Sequence, residues 1–364
     1  MKVLHVLSQQ QLTGAEVYAG TLARAQKERG DVVYGVSDTF TLPFPGEVYT
    51  LPIGRRSWLH RLRNIIWLMH FIRRKRIQVV HAHSRAAAWV AYVACKLTGT
   101  PLVSTVHGLQ PVHASSRRFR VLGRHIIAVC EALKTHLVRD LGYPANSIRV
   151  IPNGFSSEVW TPQPPPPELL TSVPPGTRIW LYAGRFSPHK GEIARRLLRS
   201  IAQCWQRFEN VQLYLISGTT IPADLLSQAE WLNGIAGRRW VVLLDYTPRL
   251  PQWMYSAELV IGAGRVAIEG LLLGKPVIAF GEQGYWGLIT PGNCYDAQTT
   301  NFGDVGGPPW PSEAVLSTEL CQYLESPPHP LPENLTMQLR AFYAIETVET
   351  KVRLLYEESQ ADCF

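Results

Sequence analysis

Strand-like and helix-like segments alternate along this chain from its first residues. Apolar runs of strand length occupy residues 3–7 and 32–36, and a helical pattern over residues 14–29 lies between them and ends at Gly30. The same alternation continues to residue 152 and restarts at residue 179. Because strands that alternate with helices of this length form βαβ units, we predict an α/β fold built on doubly wound parallel sheets.

A cluster of prolines, TPQPPPPELLTSVPPG, interrupts the alternation. Prolines favour extended polyproline II backbone, which makes such a segment a semi-rigid spacer. A chain of 364 residues is also long enough for two domains. We therefore predict four regions, which are an N-terminal Rossmann-like domain at 1–160, the Pro-rich linker at 161–176, a second Rossmann-like domain at 177–340, and a C-terminal helix at 341–364.

The positive charge of the chain is concentrated in its N-terminal part. Residues 1–150 hold 21 Lys and Arg against 7 Asp and Glu, a formal balance of +14, whereas residues 151–364 hold 15 against 21. This balance favours anionic partners such as phosphates and the lipid head groups of a membrane surface. Nucleic acid is not expected, because the chain has no RNP-like aromatic strand, no basic helix with heptads and no zinc-finger spacing.

Several features predict a cytoplasmic protein, peripheral on the cytoplasmic membrane face. No apolar run approaches the eighteen or so residues of a membrane-spanning helix, and the N-terminus MKVLHVLSQQ is typical of a first strand instead of a signal peptide. The six cysteines are scattered without a C-x-x-C pair. That pattern fits a reducing compartment and disfavours both a disulfide framework and a structural zinc site.

A long basic helix is predicted at residues 58–76, WLHRLRNIIWLMHFIRRKR. We place its apolar side chains on one stripe, which consists of Trp58, Leu62, Ile65, Ile66, Met69 and Ile72. The stripe fits either a helix that lies on a membrane surface or one that covers the sheet and buries the stripe in the core. We favour the buried stripe, while the flanking arginines still form a basic surface.

Polar residues that directly follow predicted strands are candidate site residues, because ligands bind open parallel sheets at the carboxyl ends of the strands. Gly14, in SQQQLTGAE, precedes a helix and lets the backbone approach an anion; a plain turn is the alternative. His107, in TVHG, can bond a substrate hydroxyl or stabilise developing charge; the alternative is an ordinary loop histidine.

His81 and His83 lie in the segment HAHS, where one residue separates them. We expect their side chains to leave opposite faces of the strand. They would then be unable to ligate one metal ion, so no metal site is predicted. One histidine would belong to the core, and the other would face the ligand.

Arg185 and Lys190 lie in AGRFSPHKG, a loop ahead of a helix that starts near Gly191. Two cations and a helix N-terminus suit a diphosphate leaving group, whose charge grows as its bond breaks; two solvated surface cations are the alternative. No D-x-D triplet occurs in the chain. We therefore expect the diphosphate to be held without Mg²⁺, and we predict no metal and no other cofactor.

The segment IGAGRVAIEGLLLGKPVIAF, residues 261–280, is predicted to form a glycine turn, a short helix and a buried strand. Gly262 and Gly264 lack Cβ, so their backbone N–H groups can approach a ligand closely, and the positive end of the helix points to the same place. Glu269 lies one turn into the helix. The arrangement suits an anionic ligand that carries hydroxyls, such as a nucleotide sugar; an ordinary helix–strand joint is the alternative.

Taken in order, these motifs resemble those of the family 4 glycosyltransferases of the GT-B fold. In the N-terminal half the similar segments are TGAE, QVVHAHSRAAAWVA, PLVSTVHG, IIAVCEALKTHLV and IRVIPNGF. In the C-terminal half they are AGRFSPHKG, VAIEGLLLGKPVIA and GYWGLITPGN. The resemblance implies two Rossmann-like domains that face a central cleft, with a C-terminal helix that crosses back.

The resemblance also implies an activity. It is the metal-independent transfer of a sugar, with retention, from a nucleotide sugar to an anionic acceptor. The sugar would be a hexose or an N-acetylhexosamine, and UDP is favoured over GDP as the donor nucleotide. The acceptor would be a lipid-linked or phosphorylated glycan of the cell envelope.

By similarity, Gly14 would approach the donor phosphate and His107 would lie beside the donor sugar. Arg185 and Lys190 would hold the diphosphate, and Glu269 would take the ribose hydroxyls. Further contacts with the nucleotide sugar are expected from Gly262, Ala263, Gly264 and Arg265. The acceptor-side candidates are His83, Arg85, Glu131 and Asn153.

The chain departs from the family pattern in three places. Ile261 stands eight residues before Glu269, where the family usually has a glutamate that touches the donor sugar. Cys130 replaces the usual serine before Glu131, and ISGTT at 216–220 lacks the usual G-D-G. The first departure keeps three alternatives open, which are an inverting GT-B transferase, a sugar-nucleotide epimerase and a non-catalytic sugar-nucleotide-binding subunit.

Overall fold

A computed structural model of the chain consists of two compact units. Unit 1 comprises residues 1–157 and 341–364, and unit 2 comprises residues 158–340. The residues that the structure describes are 1–8, 13–55, 57–186, 191–207 and 210–362. None of the helices within these ranges is long and apolar enough to cross a membrane.

Unit 1 is built on a seven-stranded sheet in the order β3-β2-β1-β4-β5-β6-β7, in which every neighbouring pair is parallel. Its apolar strands are almost entirely buried, as expected for a parallel sheet covered on both faces. The strands are β1 Lys2–Val6, β2 Val32–Ser37, β3 Glu47–Thr50, β4 Val79–Ala82, β5 Leu102–Val106, β6 His125–Ala128 and β7 Ile148–Val150.

Two helices of unit 1, α1 and α3, begin at side-chain caps that follow strands. Thr13 accepts a hydrogen bond from the backbone N–H of Glu16, and Ser84 accepts one from Ala87. Both helices therefore start near the carboxyl edge of the sheet, where the predicted site residues lie. The helices are α1 Gly14–Glu28, α2 Trp58–Lys75, α3 Arg85–Thr98, α4 Ala114–Arg118 and α5 Glu131–Arg139.

Unit 2 is built on a six-stranded sheet in the order β10-β9-β8-β11-β12-β13. The first five strands are parallel, and β13 adds an antiparallel edge. The strands are β8 Arg178–Gly184, β9 Val211–Ser217, β10 Val241–Leu244, β11 Leu259–Gly262, β12 Val277–Phe280 and β13 Tyr285–Leu288. The helices are α6 Pro167–Ser172, α7 Gly191–Ile201, α8 Ala223–Ala236, α9 Leu250–Ser256, α10 Arg265–Leu272, α11 Cys294–Thr299, α12 Glu313–Glu325 and α13 Glu333–Tyr343.

The last helix, α14 Ile345–Ala361, returns to unit 1 and completes its core. Val348, Val352 and Tyr356 pack in one cluster with Tyr18 and Leu22 of α1. Each of these side chains is at most 2 % exposed, and burying one contributes about 1.5–3 kcal/mol. The C-terminal helix is therefore an integral part of the N-terminal fold.

Two sequence predictions need correction in the helices around the unit boundaries. The Pro-rich segment is not extended throughout, because it contains α6, in which Pro167 takes the first helical position, where its missing N–H costs nothing. The single helical pattern near the C-terminus is two helices. Phe155 pairs with the backbone on either side of Ala344, donating to Tyr343 and accepting from Ile345, and this pairing interrupts the helix.

Half of the stripe predicted to be buried on α2 is exposed, whereas Ile65 and Ile72 are buried as predicted. Trp58, Leu62 and Ile66 are 70, 47 and 51 % exposed, while Leu68 and Phe71 fill the core instead. The prediction was wrong for the exposed half because steps of four residues advance about 40° beyond a full turn at 3.6 residues per turn. A line through positions 58, 62 and 66 therefore drifts away from the face that covers the sheet. We call these exposed apolar residues, with the exposed Leu59, the apolar face of α2.

Candidate functional site

Several predicted site residues of unit 1 meet where β4 and β5 end. His83 follows β4 and His107 follows β5, and their ring centroids are 6.0 Å apart. Tyr18 of α1 lies edge-on to both rings, at 5.9 Å from His83 and 5.2 Å from His107. The rule that ligand-binding residues follow parallel strands thus brings His83 and His107 together, as the sequence predicted.

His81 and His83 lie on the same side of the sheet, which corrects the expectation that they face opposite ways. Residues i and i+2 of a strand share a face, and the two rings stack with centroids 4.2 Å apart. His5, which pairs with His81 in the register of β1 and β4, joins them. The structure therefore contains a cluster of three buried histidines that was not predicted from the sequence.

A chain of hydrogen bonds runs through this cluster and fixes the protonation of His5 and His83. His5 Nε2 lies 2.8 Å from the amide oxygen of Gln26, so that nitrogen carries the hydrogen. His5 Nδ1 must then accept from His83 Nε2, at 2.9 Å. On the other side, the Gln26 amide donates to the Tyr356 hydroxyl, which lies 2.6 Å from His81 Nδ1. His81 Nε2 lies 2.7 Å from Thr105 Oγ1, and the direction of this hydrogen bond depends on the tautomer of His81.

Burial makes the three imidazoles neutral. It lowers the pKa of His5 to about 4, although the hydrogen bond to Gln26 acts in the opposite direction. The pKa values of His81 and His83 are also well below the ordinary histidine value, mainly through burial and further through the neighbouring histidines. At neutral pH the cluster therefore carries no charge.

The three histidines are close enough together to act as ligands of one metal ion, but the contact between His5 and His83 has the length of a hydrogen bond. The candidate ligand atoms of His5, His81 and His83 lie within 4.8 Å of one another. Two nitrogens that share a tetrahedral zinc ion are about 3.3 Å apart, given Zn–N bonds of roughly 2.0–2.1 Å. The His5–His83 separation of 2.9 Å is shorter, and it matches a hydrogen bond.

The remaining candidates of unit 1 are spread along the same edge of the sheet. Gly14 is the exposed first residue of α1, and Glu131 is the exposed first residue of α5. Asn153 follows β7, and its side-chain oxygen is buried without a hydrogen-bond partner among the described residues. Arg85 is the first residue of α3. Their functional roles stay predictions.

Arg85 also lines a cavity of about 620 Å³ that the sequence did not predict. Arg55, Arg61 and Trp89 lie in its wall, and we call this cavity the arginine pocket. The guanidinium of Arg61 stacks over the Trp89 ring at 4.6 Å from its centroid. Sequence reasoning missed the pocket because Arg55 and Arg61 lie around the start of α2, not after a strand.

In unit 2, the glycine turn between β11 and α10 has no room for side chains. A Cβ on Gly262 would clash with the Val266 side chain, and Gly264 has φ +52°, a left-handed conformation that favours glycine. The Gly264 N–H donates to the Asn301 carbonyl. Ala263 lines a small cavity at the turn. The backbone of this turn can therefore lie directly against a ligand.

Arg185 lines the same cavity, of about 100 Å³, at the carboxyl ends of β8, β11 and β12. It directly follows β8, and its side chain is exposed. Its other wall is the start of α10, whose backbone N–H groups and dipole favour an anion. Lys190, the second predicted cation, lies outside the described residues.

Glu269 already has a partner within its own helix. Its Oε1 accepts a hydrogen bond from Arg265 at 2.6 Å, one turn earlier on α10. The carboxylate is nearly buried, and Ile261 on β11 is 1 % exposed and points into the core. The predicted ribose contact of Glu269 stays a prediction, and any ligand that uses this carboxylate shares it with Arg265.

Two further acidic residues line this cavity, Glu282 and Asp304. Glu282 lies just after β12, so the rule of polar residues after strands could have identified it. Asp304 comes from the segment after α11, where Asn301 and Phe302 have φ of +54° and +53°. No local signal in the sequence points to Asp304, because only the tertiary fold brings it to the glycine turn.

A sequence model described as Glycosyltransferase Family 4 matches residues 12–159. The D-inositol 3-phosphate glycosyltransferase of Xylanimonas cellulosilytica is 26 % identical over 235 residues, which are 55 % of this chain and 55 % of that protein. The chain spans about half the length of the curated relatives it matches.

Solved structures with the same fold align over nearly the whole chain. A glycosyltransferase from Rickettsia africae has a TM-score of 0.76 and 19 % identity and covers 98 % of both chains. HepE from Anabaena, in complex with UDP, has a TM-score of 0.71 and 20 % identity and covers 98 % of this chain and 100 % of that one. The two α/β units are those of the expected GT-B fold, and residues 12–159 are similar to glycosyltransferase family 4.

Proposed function

We propose that this protein transfers a sugar from a nucleotide sugar to an anionic or lipid-linked acceptor of the cell-envelope glycan type. The observation that carries the proposal is the small cavity of unit 2, where Arg185, the glycine turn and the start of α10 converge. A cation and the N-terminus of a helix together favour a bound diphosphate, whereas the Gly264 N–H is already used by the Asn301 carbonyl. The match of residues 12–159 to the Glycosyltransferase Family 4 model supports glycosyl transfer as the reaction that such a site serves.

In this proposal the diphosphate is held without a metal ion. Negative charge grows on the departing nucleotide diphosphate as the glycosidic bond breaks, and Arg185 and Lys190 would stabilise it. The chain has no D-x-D triplet to bind Mg²⁺. Activity is therefore expected to persist in EDTA.

UDP is the proposed donor nucleotide, and Glu269 is its proposed ribose contact. The Anabaena structural neighbour is a complex with UDP, which favours UDP over GDP here. Arg265, paired with Glu269, would hold this carboxylate in place for the ribose hydroxyls. Since Ile261 removes the carboxylate that usually touches the donor sugar, the sugar itself, a hexose or an N-acetylhexosamine, must be read by other groups.

We propose that the transfer retains the anomeric configuration. No dedicated protein base is then required, because the departing phosphate accepts the proton of the acceptor hydroxyl on the face that it leaves. The roles of His107 beside the donor sugar and of Gly14 at the donor phosphate rest on the family resemblance. The neutral histidine cluster beneath His107 is suited to hold its surroundings rigid without adding charge.

The acceptor side of the proposal rests on the surface of unit 1. The apolar face of α2, Trp58, Leu59, Leu62 and Ile66, is exposed, and Arg63 and Arg73 lie on the same helix in solvent. Exposed apolar side chains flanked by cations bind anionic membrane surfaces. We therefore propose a peripheral protein of the cytoplasmic membrane face that acts on a lipid-linked or phosphorylated glycan.

A thermal-shift screen with UDP, GDP, ADP and their sugars tests the donor assignment, since a ligand that binds the native state raises its stability by RT ln(1 + [L]/Kd). UDP and one UDP-sugar are expected to stabilise the protein most. The product anomer, determined by NMR, then tests retention. Stabilisation by none of the nucleotides would contradict the proposal.

A non-catalytic sugar-nucleotide-binding subunit is the alternative that Ile261 favours, because the missing carboxylate weakens the hold on the donor sugar and not on the nucleotide. Binding of UDP without turnover across a panel of acceptors would support it. Interconversion of the sugar nucleotide without an acceptor would instead identify an epimerase, and an inverted product anomer would identify an inverting transferase.

A further inference from the structure

The arginine pocket lies in a long stretch of the chain whose charged residues are all basic. Between Glu47 and Glu131, residues 48–130 contain 14 Lys and Arg and no Asp or Glu. The pocket is formed within this stretch, by residues from 53 to 119. The carboxylate of Asp38 accepts from the N–H of Gly54 at the rim. None of the described residues that line the pocket is an Asp or Glu.

Arg55, Arg61 and Arg85 form no ion pair with the described part of the chain. Arg85 Nη1 is buried and has no hydrogen-bond acceptor there. Arg61 is held against Trp89 by a cation–π contact, which leaves the edge of its guanidinium available as a donor. Arg55 lies 3.3 Å from the imidazole of His60 and interacts electrostatically with the Asp38 carboxylate at the rim. Within the described part of the chain, Arg61 and Arg85 thus lack the anions that usually neutralise guanidiniums, and Arg55 has only this unbridged interaction.

A buried guanidinium N–H without a partner costs free energy, so the arrangement favours an anion that supplies several acceptors. A carboxylate offers two oxygens and one charge, which match a single guanidinium fork. A phosphoryl group offers three oxygens and up to two charges, and it is the anion whose geometry three arginine forks suit. The cavity of about 620 Å³ also leaves room for the group that carries the phosphate.

We propose that the arginine pocket binds a phosphoryl group of the acceptor, held by Arg55, Arg61 and Arg85. This inference rests on the proposed glycosyl transfer and defines its acceptor as a phosphate ester or diphosphate. The phosphoryl group belongs either to a water-soluble sugar phosphate or to the head group of a polyprenyl phosphate. Trp89 and the aliphatic wall of the pocket contact the carrier of the phosphate.

The test measures binding of inorganic pyrophosphate by calorimetry to the full-length wild type and to R61Q, R85Q and R63Q. Arg63 lies on α2 near Arg61 but does not line the pocket, so R63Q makes the same charge change as a matched control. We expect R61Q and R85Q each to raise the Kd at least about tenfold, the scale of one hydrogen bond to a charged group. R63Q is expected to change it less than about twofold. Equal loss in all three variants, or no loss in any, overturns the proposal.

A second arm separates the two sources of the phosphoryl group. The same four proteins are sedimented with phosphatidylcholine vesicles that contain or lack a polyprenyl phosphate. Binding that depends on the polyprenyl phosphate, on Arg61 and on Arg85 assigns the lipid head group. Pyrophosphate binding with the expected variant pattern but without that vesicle dependence assigns a water-soluble phosphate.

Binding of UDP to the same variants distinguishes failure of this inference from failure of the proposed function. The proposed UDP contacts are those of unit 2 and Gly14 and do not include Arg61 or Arg85, so R61Q and R85Q should bind UDP as the wild type does. If UDP binds and pyrophosphate shows no dependence on the pocket, the acceptor inference alone fails. If pyrophosphate binding shows the variant pattern but UDP binds none of the proteins, the donor proposal fails and the anion pocket stands.

Discussion

The two units of this molecule use their arginines in different ways. Unit 1 has 23 Lys and Arg against 12 Asp and Glu, and unit 2 has 13 against 16. Unit 2 pairs most of its described arginines with carboxylates, among them Arg178, Arg195, Arg199, Arg207, Arg249 and Arg265. Among the described cations of residues 48–130 in unit 1, only Lys75 forms an ion pair.

This difference teaches what each set of charges does. A paired arginine links elements of one unit, so removing it lowers the free energy of unfolding. An unpaired arginine contributes little to stability, and its charge is available to a ligand or a membrane. Arg185 is one of the arginines of unit 2 that have no ion pair with the described residues, and it is informative because it lines the small cavity.

Arg185→Ala is expected to give the largest effect and to test the use of this arginine. Losing one charge-stabilising donor costs about 2.7–4 kcal/mol of transition-state stabilisation, which is roughly 100-fold or more in kcat. The readout is steady-state release of nucleotide diphosphate with the best donor of the thermal-shift screen. Lys190→Ala is expected to cost at least about 2 kcal/mol in the same assay.

The control is Arg207→Ala, which removes an exposed arginine paired with Glu325. It should leave kcat within about twofold, since exposed ion pairs contribute little. An Arg185→Ala enzyme with unchanged kcat would show that Arg185 is only a surface cation.

Arg178→Gln should reveal the structural use of a paired arginine. Arg178 makes a two-point contact with Glu258 at 2.8 and 2.6 Å and also donates to the carbonyls of Leu324 and Tyr323. Because the pair is partly buried, removing the cation leaves the Glu258 carboxylate without its counter-charge and both carbonyls without this hydrogen-bond donor. We expect a loss of about 2 kcal/mol in the free energy of unfolding.

Urea denaturation of Arg178→Gln beside Arg63→Gln checks this. Arg63, an unpaired and exposed arginine of unit 1, should change the free energy of unfolding by less than about 0.5 kcal/mol. Similar losses in the two variants would remove the distinction between paired and unpaired arginines.

The stability of unit 1 should depend on pH through its neutral histidines. Burial holds the folded pKa of His5 at about 4 and those of His81 and His83 well below the ordinary value. The unfolded chain therefore binds protons that the folded chain does not, from about pH 6.5 downward. Stability is full above that pH and falls on acidification, by about 1.4 kcal/mol per pH unit for each histidine.

Denaturation curves between pH 7.5 and pH 5 measure this slope. His70→Gln, at an exposed position of α2, should leave the slope unchanged. A flat stability over that interval would mean that the three histidines are not held neutral by burial.

Membrane binding should show the smallest effect per residue. Each unpaired arginine near an anionic surface contributes about 1 kcal/mol, and the attraction is screened by salt. Vesicles that contain phosphatidylserine are expected to bind the protein less as salt is raised, and R73Q or W58A should weaken binding further. Equal binding to neutral vesicles would contradict the electrostatic part of the proposal.

Much of the fold could be predicted because its signals are local. The strand and helix patterns predicted at residues 3–7, 14–29 and 32–36 closely match β1, α1 and β2, since apolar runs and caps lie within a few residues of each other. The edge strand β3, which is mostly exposed, has no apolar run and escaped prediction. Half of the buried stripe on α2 was wrong because a helical pattern alone does not say which of two adjacent faces meets the sheet.

The candidate site divides along the same line. His83, His107, Arg185 and the glycine turn were predicted, because each directly follows a strand and parallel strands end at one edge. Arg55, Arg61, Asp304 and Tyr356 were not, because they come from elements that reach their sites only through packing. His81 and His83 were singled out from the sequence, but their side chains were wrongly expected on opposite faces of the strand. Residues i and i+2 of a strand lie on the same face.

The sequence by itself determined the α/β class, the strand-end positions of the donor-side residues and the charge imbalance of the N-terminal half. These follow from residue type and short spacing. Only the tertiary structure decided that Gln26 and Tyr356 hydrogen-bond to the histidine cluster, that Arg265 pairs with Glu269, and that three arginines share one cavity without carboxylates. Such properties depend on distances between residues far apart in the chain, and burial and packing set those distances.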